Sequence, residues 1–330
     1  MIQPQTPKLN PELVRKAAAH QAAKLFPRDI DQQNAFLRAL LPGKAGKPSL
    51  IWMKDRPKKP PFATVLLTEW QPAWVDTLAE PENLVGELPM HADGAYYLLD
   101  FSNIISASVL LAIKEPVTTI LDLCSAPGGK GIFASRLFEP KLLICNEVIG
   151  KRQDMLEANL ERCHISNSHV TQSDPAQFSR LTPQAFDLVI VDAPCSSQTL
   201  TAKGTDVPDA FESEIVSMNV SRQRRILANA AEAVRPGGHL AYMTSTYSRE
   251  ENEKNLEWLL RRFPQFKAVE VPHLAKMRSN LLPDPCYRHW PQDGLGVGGF
   301  ACLLQNTAAY RPGISRTEIV KRVKPIWSAV

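Results

Sequence analysis

The chemistry-bearing residues of this chain collect just beyond its apolar runs. Asp192-Ala-Pro-Cys195-Ser-Ser follows FDLVIVD, so a carboxylate, a rigid proline and a thiol emerge together where a buried strand should end. A free cysteine is more often a small buried hydrophobe, and an aspartate in that place often forms a turn. The pairing at one strand end weighs toward reaction chemistry. A second segment, Cys124-Ser125-Ala126-Pro127-Gly128-Gly129-Lys130, follows TTILDLC. Its glycines remove side chains where the backbone bends and a ligand comes close. The helix after it offers free amides to an anionic or carboxylate-bearing group. The spacing is neither G-x-G-x-x-G nor a P-loop, because the lysine comes early and no Ser or Thr follows it. A dinucleotide or nucleoside triphosphate is therefore not the first expectation, and a plain structural turn is the alternative. Glu147 ends the next apolar run, at the distance of about 20 residues that suits hydrogen bonding to a ribose diol. Asp174 ends the one after, where an acid can meet an adenine amino group. Either acid alone is as readily a helix cap or a surface charge. Gly-Gly, Glu and Asp at three successive strand ends point to a ligand containing a nucleoside.

These residues need a frame that gathers strand ends. From about residue 117, apolar runs such as KLLICNEV and FDLVIVDAP alternate with helical segments such as RQDMLEANLERC. Continuous apolar strands separated by helices predict a parallel sheet covered on both faces. The expected class is α/β, a Rossmann-like doubly wound domain whose ligands bind beyond the carboxyl ends of the strands. A fifth strand, His239–Thr244, leads into Ser245-Thr246-Tyr247-Ser248-Arg249-Glu250-Glu251-Asn252-Glu253, where Thr246 or Ser248 is placed to cap the next helix. Residues 1–40 predict helices. Asn10–Leu25 opens on an Asn-Pro cap signal and carries Leu13, Ala17, Ala18 and Leu25 at helical spacing, and Phe36–Leu41 continues in that style. A short strand, Leu50–Met53, is set among Lys, Arg, Pro and Gly, while residues 63–90 take no clear assignment. The expected division is a smaller basic N-terminal α+β domain (1–90), the doubly wound domain (91–310) and a basic C-terminal tail (311–330).

Composition bounds the rest. The 330 residues, 44% hydrophobic and 22% charged, describe a soluble globular chain with room for about two domains. The net charge of +4 hides a layout: residues 1–60 carry +8, residues 61–260 carry −11 and residues 261–330 carry +7. This fits basic ends reaching for a polyanion, or equally exposed helices solvated by charge. No run approaches the roughly 18 apolar residues of a membrane span, and the start has no apolar signal-peptide core. The six cysteines are scattered without a Cys-x-x-Cys pair, so neither a disulfide framework nor a metal site is expected, and a reducing cytoplasmic setting is.

LDLCSAPGGKG (121–131), VDAPCSS (191–197), RPGGHLAYMT (235–244) and EENE (250–253) together resemble the Sun/Fmu-type (Nop/Sun, RsmB-like) RNA cytosine-5 methyltransferases. The resemblance covers roughly residues 94–305, GLGVGGF (294–300) included; residues 1–90 match only loosely. It implies S-adenosyl-L-methionine as methyl donor. Cys124 through Lys130 would wrap its methionine part, Glu147 would hold the ribose and Asp174 the adenine edge, with Asp192 between cofactor and target base. The family's reaction explains the need for a thiol. A thiolate adds to carbon 6 of cytosine and makes carbon 5 nucleophilic. Asp192 would stabilise the protonated ring nitrogen 3, a base removes the carbon 5 proton, and the thiolate leaves. Cysteine suits this because its pKa, about 8.5, can be tuned lower.

In that family the attacking cysteine sits in a Thr-Cys-Thr or Thr-Cys-Ser setting after strand five, and the Cys of Asp-Ala-Pro-Cys assists product release. Here the setting reads Thr244-Ser245-Thr246, so Ser245 stands at the nucleophile's position. Three readings stay open: an introduced Cys-to-Ser substitution, a non-catalytic RNA-binding protein that keeps the fold, or Cys195 as nucleophile. The implied partner is RNA, ribosomal ahead of transfer RNA, with the base single-stranded or flipped out. A small-molecule or protein methyltransferase is a further class, against which Asp-Ala-Pro-Cys and the basic ends both speak. Candidate phosphate contacts are Lys203, Arg222, Arg224 and Arg225, and Lys58 and Lys59 in the cluster 54–59. Each is as readily a solvated surface charge.

Overall fold

The computed structural model describes residues 11–41, 43–79, 85–207, 209–309 and 313–329. Asn10, expected to cap the first helix, and the start of the chain lie outside them. Two helices come first, α1 (Pro11–Leu25) and α2 (Ile30–Leu40), the second capped by the Asp29 carboxylate, which accepts from Gln32 N. Then β1 (Pro48–Trp52), β2 (Thr64–Val65) and β3 (Val75–Leu78) join β4 (Tyr96–Asp100), after a short α3 (Pro89–Ala92), in an antiparallel sheet of order β2-β3-β1-β4. Trp52, Phe62 and Tyr96 pack ring on ring at its centre. The 63–90 stretch took no assignment because β2 is two residues long and β3 reads VDTL, buried along its whole length despite its acid. Asp76 tolerates this because Trp52 Nε1 and Arg56 Nε each donate to its Oδ2 at 2.7 Å. The small sheet takes its last strand from beyond residue 90.

The large sheet follows. Its elements are α4 (Phe101–Ala107), β5 (Thr119–Asp122), α5 (Gly129–Phe138), β6 (Leu142–Asn146), α6 (Gly150–Arg162), β7 (Ser168–Thr171), α7 (Pro175–Leu181) and β8 (Phe186–Asp192). Next come α8 (Thr199–Ala202), α9 (Ser213–Ala233), β9 (Val234–Thr244), α10 (Glu253–Arg262), β10 (Phe266–Ala268), β11 (Tyr287–His289), β12 (Gly299–Asn306), α11 (Arg316–Val323) and β13 (Trp327–Ala329). The order is β10-β12-β9-β8-β5-β6-β7-β13, with β11 paired to β12. The central five strands are parallel; β10, β12 and β13 run antiparallel to their neighbours.

The apolar runs are continuous because both faces are covered. Ile120, Leu143, Leu188 and Met243 face Ile104, Phe133 and Leu156 of α4, α5 and α6. Their chain neighbours Leu121, Leu142, Val189 and Tyr242 face Phe178, Leu227 and Leu256 of α7, α9 and α10. The doubly wound α/β architecture expected from the sequence is present.

The C-terminal residues are not a loose arm. β13 pairs with β7, Trp327 opposite Val170, and α11 buries Ile319 and Val323 on the α7 side of the sheet. Nor does Thr246 or Ser248 cap α10. The helix starts at Glu253 with Asn252 at the N-cap position, while Ser248 Oγ accepts from Glu251 N in the turn before it. Among the described residues no helix is long and apolar enough to cross a membrane.

Candidate functional site

A cavity of about 1030 Å³ opens beyond the carboxyl ends of β5, β6 and β8, where the strand order reverses around β5. Such a crevice is where open α/β sheets bind ligands, and its size suits a nucleoside-sized ligand with space for a second group. Cys124, Ala126, Pro127, Glu147, Asp174, Asp192, Cys195 and Ser245 all line it. Residues up to 121 positions apart in the chain, from Cys124 to Ser245, thus meet in one place.

On one side lies the loop between β5 and α5. Its Ala126–Pro127 peptide is cis, and Gly128 sits at φ +111°, a backbone conformation that suits glycine. An added Cβ there would also crowd Leu156 at 3.2 Å. Glu147 is buried beside it; its Oε1 accepts from Ile149 N at 3.0 Å and Arg152 stands 3.4 Å from its Oε2. Asp174 caps α7 by accepting from Ala176 N, and Arg225 Nη1 lies 3.3 Å from its other oxygen. These features fit S-adenosyl-L-methionine. Two carboxylates at successive strand ends would suit the hydroxyl and amino donors of its nucleoside part, and the N-terminus of the ten-residue α5 would suit its carboxylate end.

The other side holds the reactive groups. Lys130 is 5% exposed, and its Nζ donates to Asp192 Oδ2 at 3.0 Å and to Asn103 Oδ1 at 2.6 Å. The Asp192 carboxylate is therefore fixed by a cation as it faces the cavity. Cys195 hydrogen-bonds with the backbone of Ser197 and Ser245, and burial, then the nearby Glu251 carboxylate, pushes its thiol up to about 12. At neutral pH Cys195 therefore holds its proton and is not a resting thiolate nucleophile. Ser245 carries a hydroxyl at the same rim, and no histidine stands among the described lining residues to serve as its base.

Several expectations need adjusting. Arg225, proposed for a phosphate, is paired with Asp174, proposed for the adenine; the two form one exposed pair at the cavity mouth. Arg224 does not reach out to a ligand. Its Nε donates to Asn255 Oδ1 at 3.0 Å and its guanidinium lies over the Trp258 ring, tying α9 to α10. Arg222 lines the cavity; Lys203 and the distant Lys58 and Lys59 are exposed. Ser125 faces inward, donating to Asp122 Oδ2 at 2.9 Å. Sequence reading missed Asn103, which no motif marks. It also missed Val148 and Ile149, about half exposed at the cavity, because an apolar pair after a strand reads as more strand.

Residues 108–305 match the family described as 16S rRNA methyltransferase RsmB/F. Ribosomal RNA small subunit methyltransferase F of Klebsiella pneumoniae is 32% identical over 244 residues, covering 72% of this chain and 51% of the relative. Its counterpart in Enterobacter sp. is 31% identical over 247 residues, covering 72% and 50%. The chain thus spans about half the length of the curated relatives it matches. In fold it is similar to a methyltransferase homolog protein from Pyrococcus horikoshii, with a TM-score of 0.73 at 19% identity over 92% of this chain and 100% of that one. NSun6 from Pyrococcus horikoshii, solved with SFG, gives a TM-score of 0.66 at 18% identity over 89% and 98%. With the matched segment covering well over half of its length, this chain belongs to the 16S rRNA methyltransferase RsmB/F family.

Proposed function

We propose that this fold serves methyl transfer from S-adenosyl-L-methionine to carbon 5 of a cytosine in RNA, small-subunit ribosomal RNA ahead of transfer RNA. The observation that carries the reading is the convergence of Cys195, residue 245 and Asp192, the last held by Lys130, on a cavity whose other wall includes Cys124, Ala126 and Pro127. The bound cofactor would supply an electrophilic methyl group. Asp192, anchored by Lys130, would accept from the protonated nitrogen 3 of the ring and hold the base in place. A thiolate at position 245 would attack carbon 6 from the loop after β9. After a base has taken the carbon 5 proton, Cys195, beside residue 245, would assist release of the product. Glu147 and Asp174 would orient the nucleoside part of the cofactor, and Val148 and Ile149 offer apolar surface to its adenine.

With serine at 245 the attacking group is almost wholly un-ionised, and we read the chain as binding cofactor and RNA with little or no turnover. The expected result is no detectable 5-methylcytosine by bisulfite mapping of RNA treated with the chain as it stands. Ser245→Cys should restore the modification, and Asp192→Asn in that background should abolish it again. Robust methylation by the Ser245 form that disappears in Cys195→Ala would assign the attack to Cys195 instead. Cofactor and RNA binding without turnover in Ser245→Cys would favour a binding protein.

A further inference from the structure

Glu251 and Asn252, fully buried just before α10, are not part of the cavity wall. The Glu251 carboxylate accepts from Ser196 N at 3.0 Å, Ser196 Oγ at 2.5 Å, Gln223 Nε2 at 2.9 Å and Thr246 Oγ1 at 3.4 Å. Those donors come from three separate elements: the loop after β8, helix α9 and the loop after β9. Ser196 is the residue after Cys195, and Thr246 is the residue after Ser245, so one carboxylate touches the neighbour of each reactive position. Ser196 Oγ and Thr246 Oγ1 also meet directly at 2.8 Å. Asn252 grips position 245 from both sides: Thr244 Oγ1 donates to its Oδ1 at 2.5 Å, and its Nδ2 donates to Thr246 O at 2.9 Å. Gln223 completes the ties by donating to Pro194 O at 3.0 Å. A carboxylate taken this far out of water is costly unless its oxygens are hydrogen-bonded. Apolar residues fill such space at lower cost, so what this network supplies is geometry.

We infer that Glu251 and Asn252 are positioning residues that hold Cys195 and residue 245 in fixed register across the cavity. The register is a property of the fold; only its consequence for turnover rests on the methyl-transfer reading. Two side chains that must act in turn on one pyrimidine ring tolerate little displacement, and an error of about 1 Å costs about a hundredfold in rate.

The test uses the full chain and two variants. Glu251→Gln keeps one acceptor oxygen but turns an amide toward donors, and Thr246→Val removes only the hydroxyl bridge while keeping the shape. The first readout is alkylation of Cys195 by iodoacetamide, followed by peptide mass spectrometry; the second is calorimetric affinity for S-adenosylhomocysteine. We expect Cys195 to alkylate severalfold faster in Thr246→Val and faster still in Glu251→Gln, with cofactor affinity within about twofold of the parent. In the Ser245→Cys background, kcat for 5-methylcytosine formation should fall about a hundredfold in Glu251→Gln with KM for S-adenosyl-L-methionine unchanged. Unaltered alkylation in both variants would overturn the inference, as would cofactor affinity lost in parallel with faster alkylation. Should Ser245→Cys prove inactive, the methyl-transfer reading falls on that result, and alkylation still decides the register.

Discussion

Lys130 and Asp122 flank the same strand-to-helix turn and are both buried. Lys130 donates to Asp192 and Asn103. Asp122 is fully buried; its Oδ2 accepts from Ser125 Oγ, and burial pushes the carboxyl up to about 7. An unfolded aspartic acid titrates near 3.9, so between those values the folded chain holds a proton that the unfolded chain has released. The contribution of Asp122 to stability is then complete below the unfolded value and is lost as pH rises through about 7. Asp122→Asn cannot ionise and keeps the shape. Its thermal midpoint should gain on the parent's as pH is raised from about 4 to about 8, the range over which that loss develops. A gap between the two that stays constant over this range would mean that Asp122 is already ionised in the fold.

At the scale of elements, the N-terminal helices do something their charge did not announce. The exit of α2 meets the exit of α8 backbone to backbone: an added Cβ on Gly43 would lie 2.5 Å from Gly204 Cα, and Ala45 N donates to Ala202 O at 2.9 Å. Phe36 sets its ring edge-on to Tyr247, with centroids 5.0 Å apart, and Gln21 Nε2 donates to Tyr247 O. Both helices therefore brace the loops that carry Cys195 and residue 245 from behind. Gly43 is also at φ +64°, so Gly43→Ala meets both a clash and an unfavourable backbone conformation. It should lower stability by about 2 kcal/mol. Urea unfolding should show a lower midpoint with the same slope; an unchanged midpoint would mean that the two turns separate freely. None of this contact was legible in the sequence, because its two glycines lie 161 positions apart and neither carries a periodic signal. What was legible had local causes. Strands such as FDLVIVD announced two-sided burial by unbroken apolar runs, and the turns beyond them announced a ligand edge by their glycines and acids. The buried roles of Glu251 and Asn252 have no local signal, since their partners come from loops that only the sheet brings together.

At the scale of the whole molecule, the basic residues of the chain divide into those spent on structure and those left exposed. Arg288 pairs with Glu253 in the interior, Arg224 joins α9 to α10, and Arg56 serves Asp76 under the small sheet. The basic C-terminal segment docks on the edge of the large sheet. Lys203 is exposed after α8, and Arg222 lines the cavity. Each phosphate contact on a single strand contributes about 0.7 to the slope of log affinity against log salt. If the proposed RNA path crosses this rim, Lys203→Ala with Arg222→Ala should reduce that slope by about 1.4, measured by fluorescence anisotropy with a cytosine-containing single strand. Arg224→Ala should leave the slope unchanged, because its charge is directed at Asn255 and Trp258 rather than at solvent. An unchanged slope in the double variant would take the strand away from α8 and α9. The exposed Lys58 and Lys59 of the small sheet would then become the electrostatic footprint, and the approach to the cavity would run from the N-terminal side.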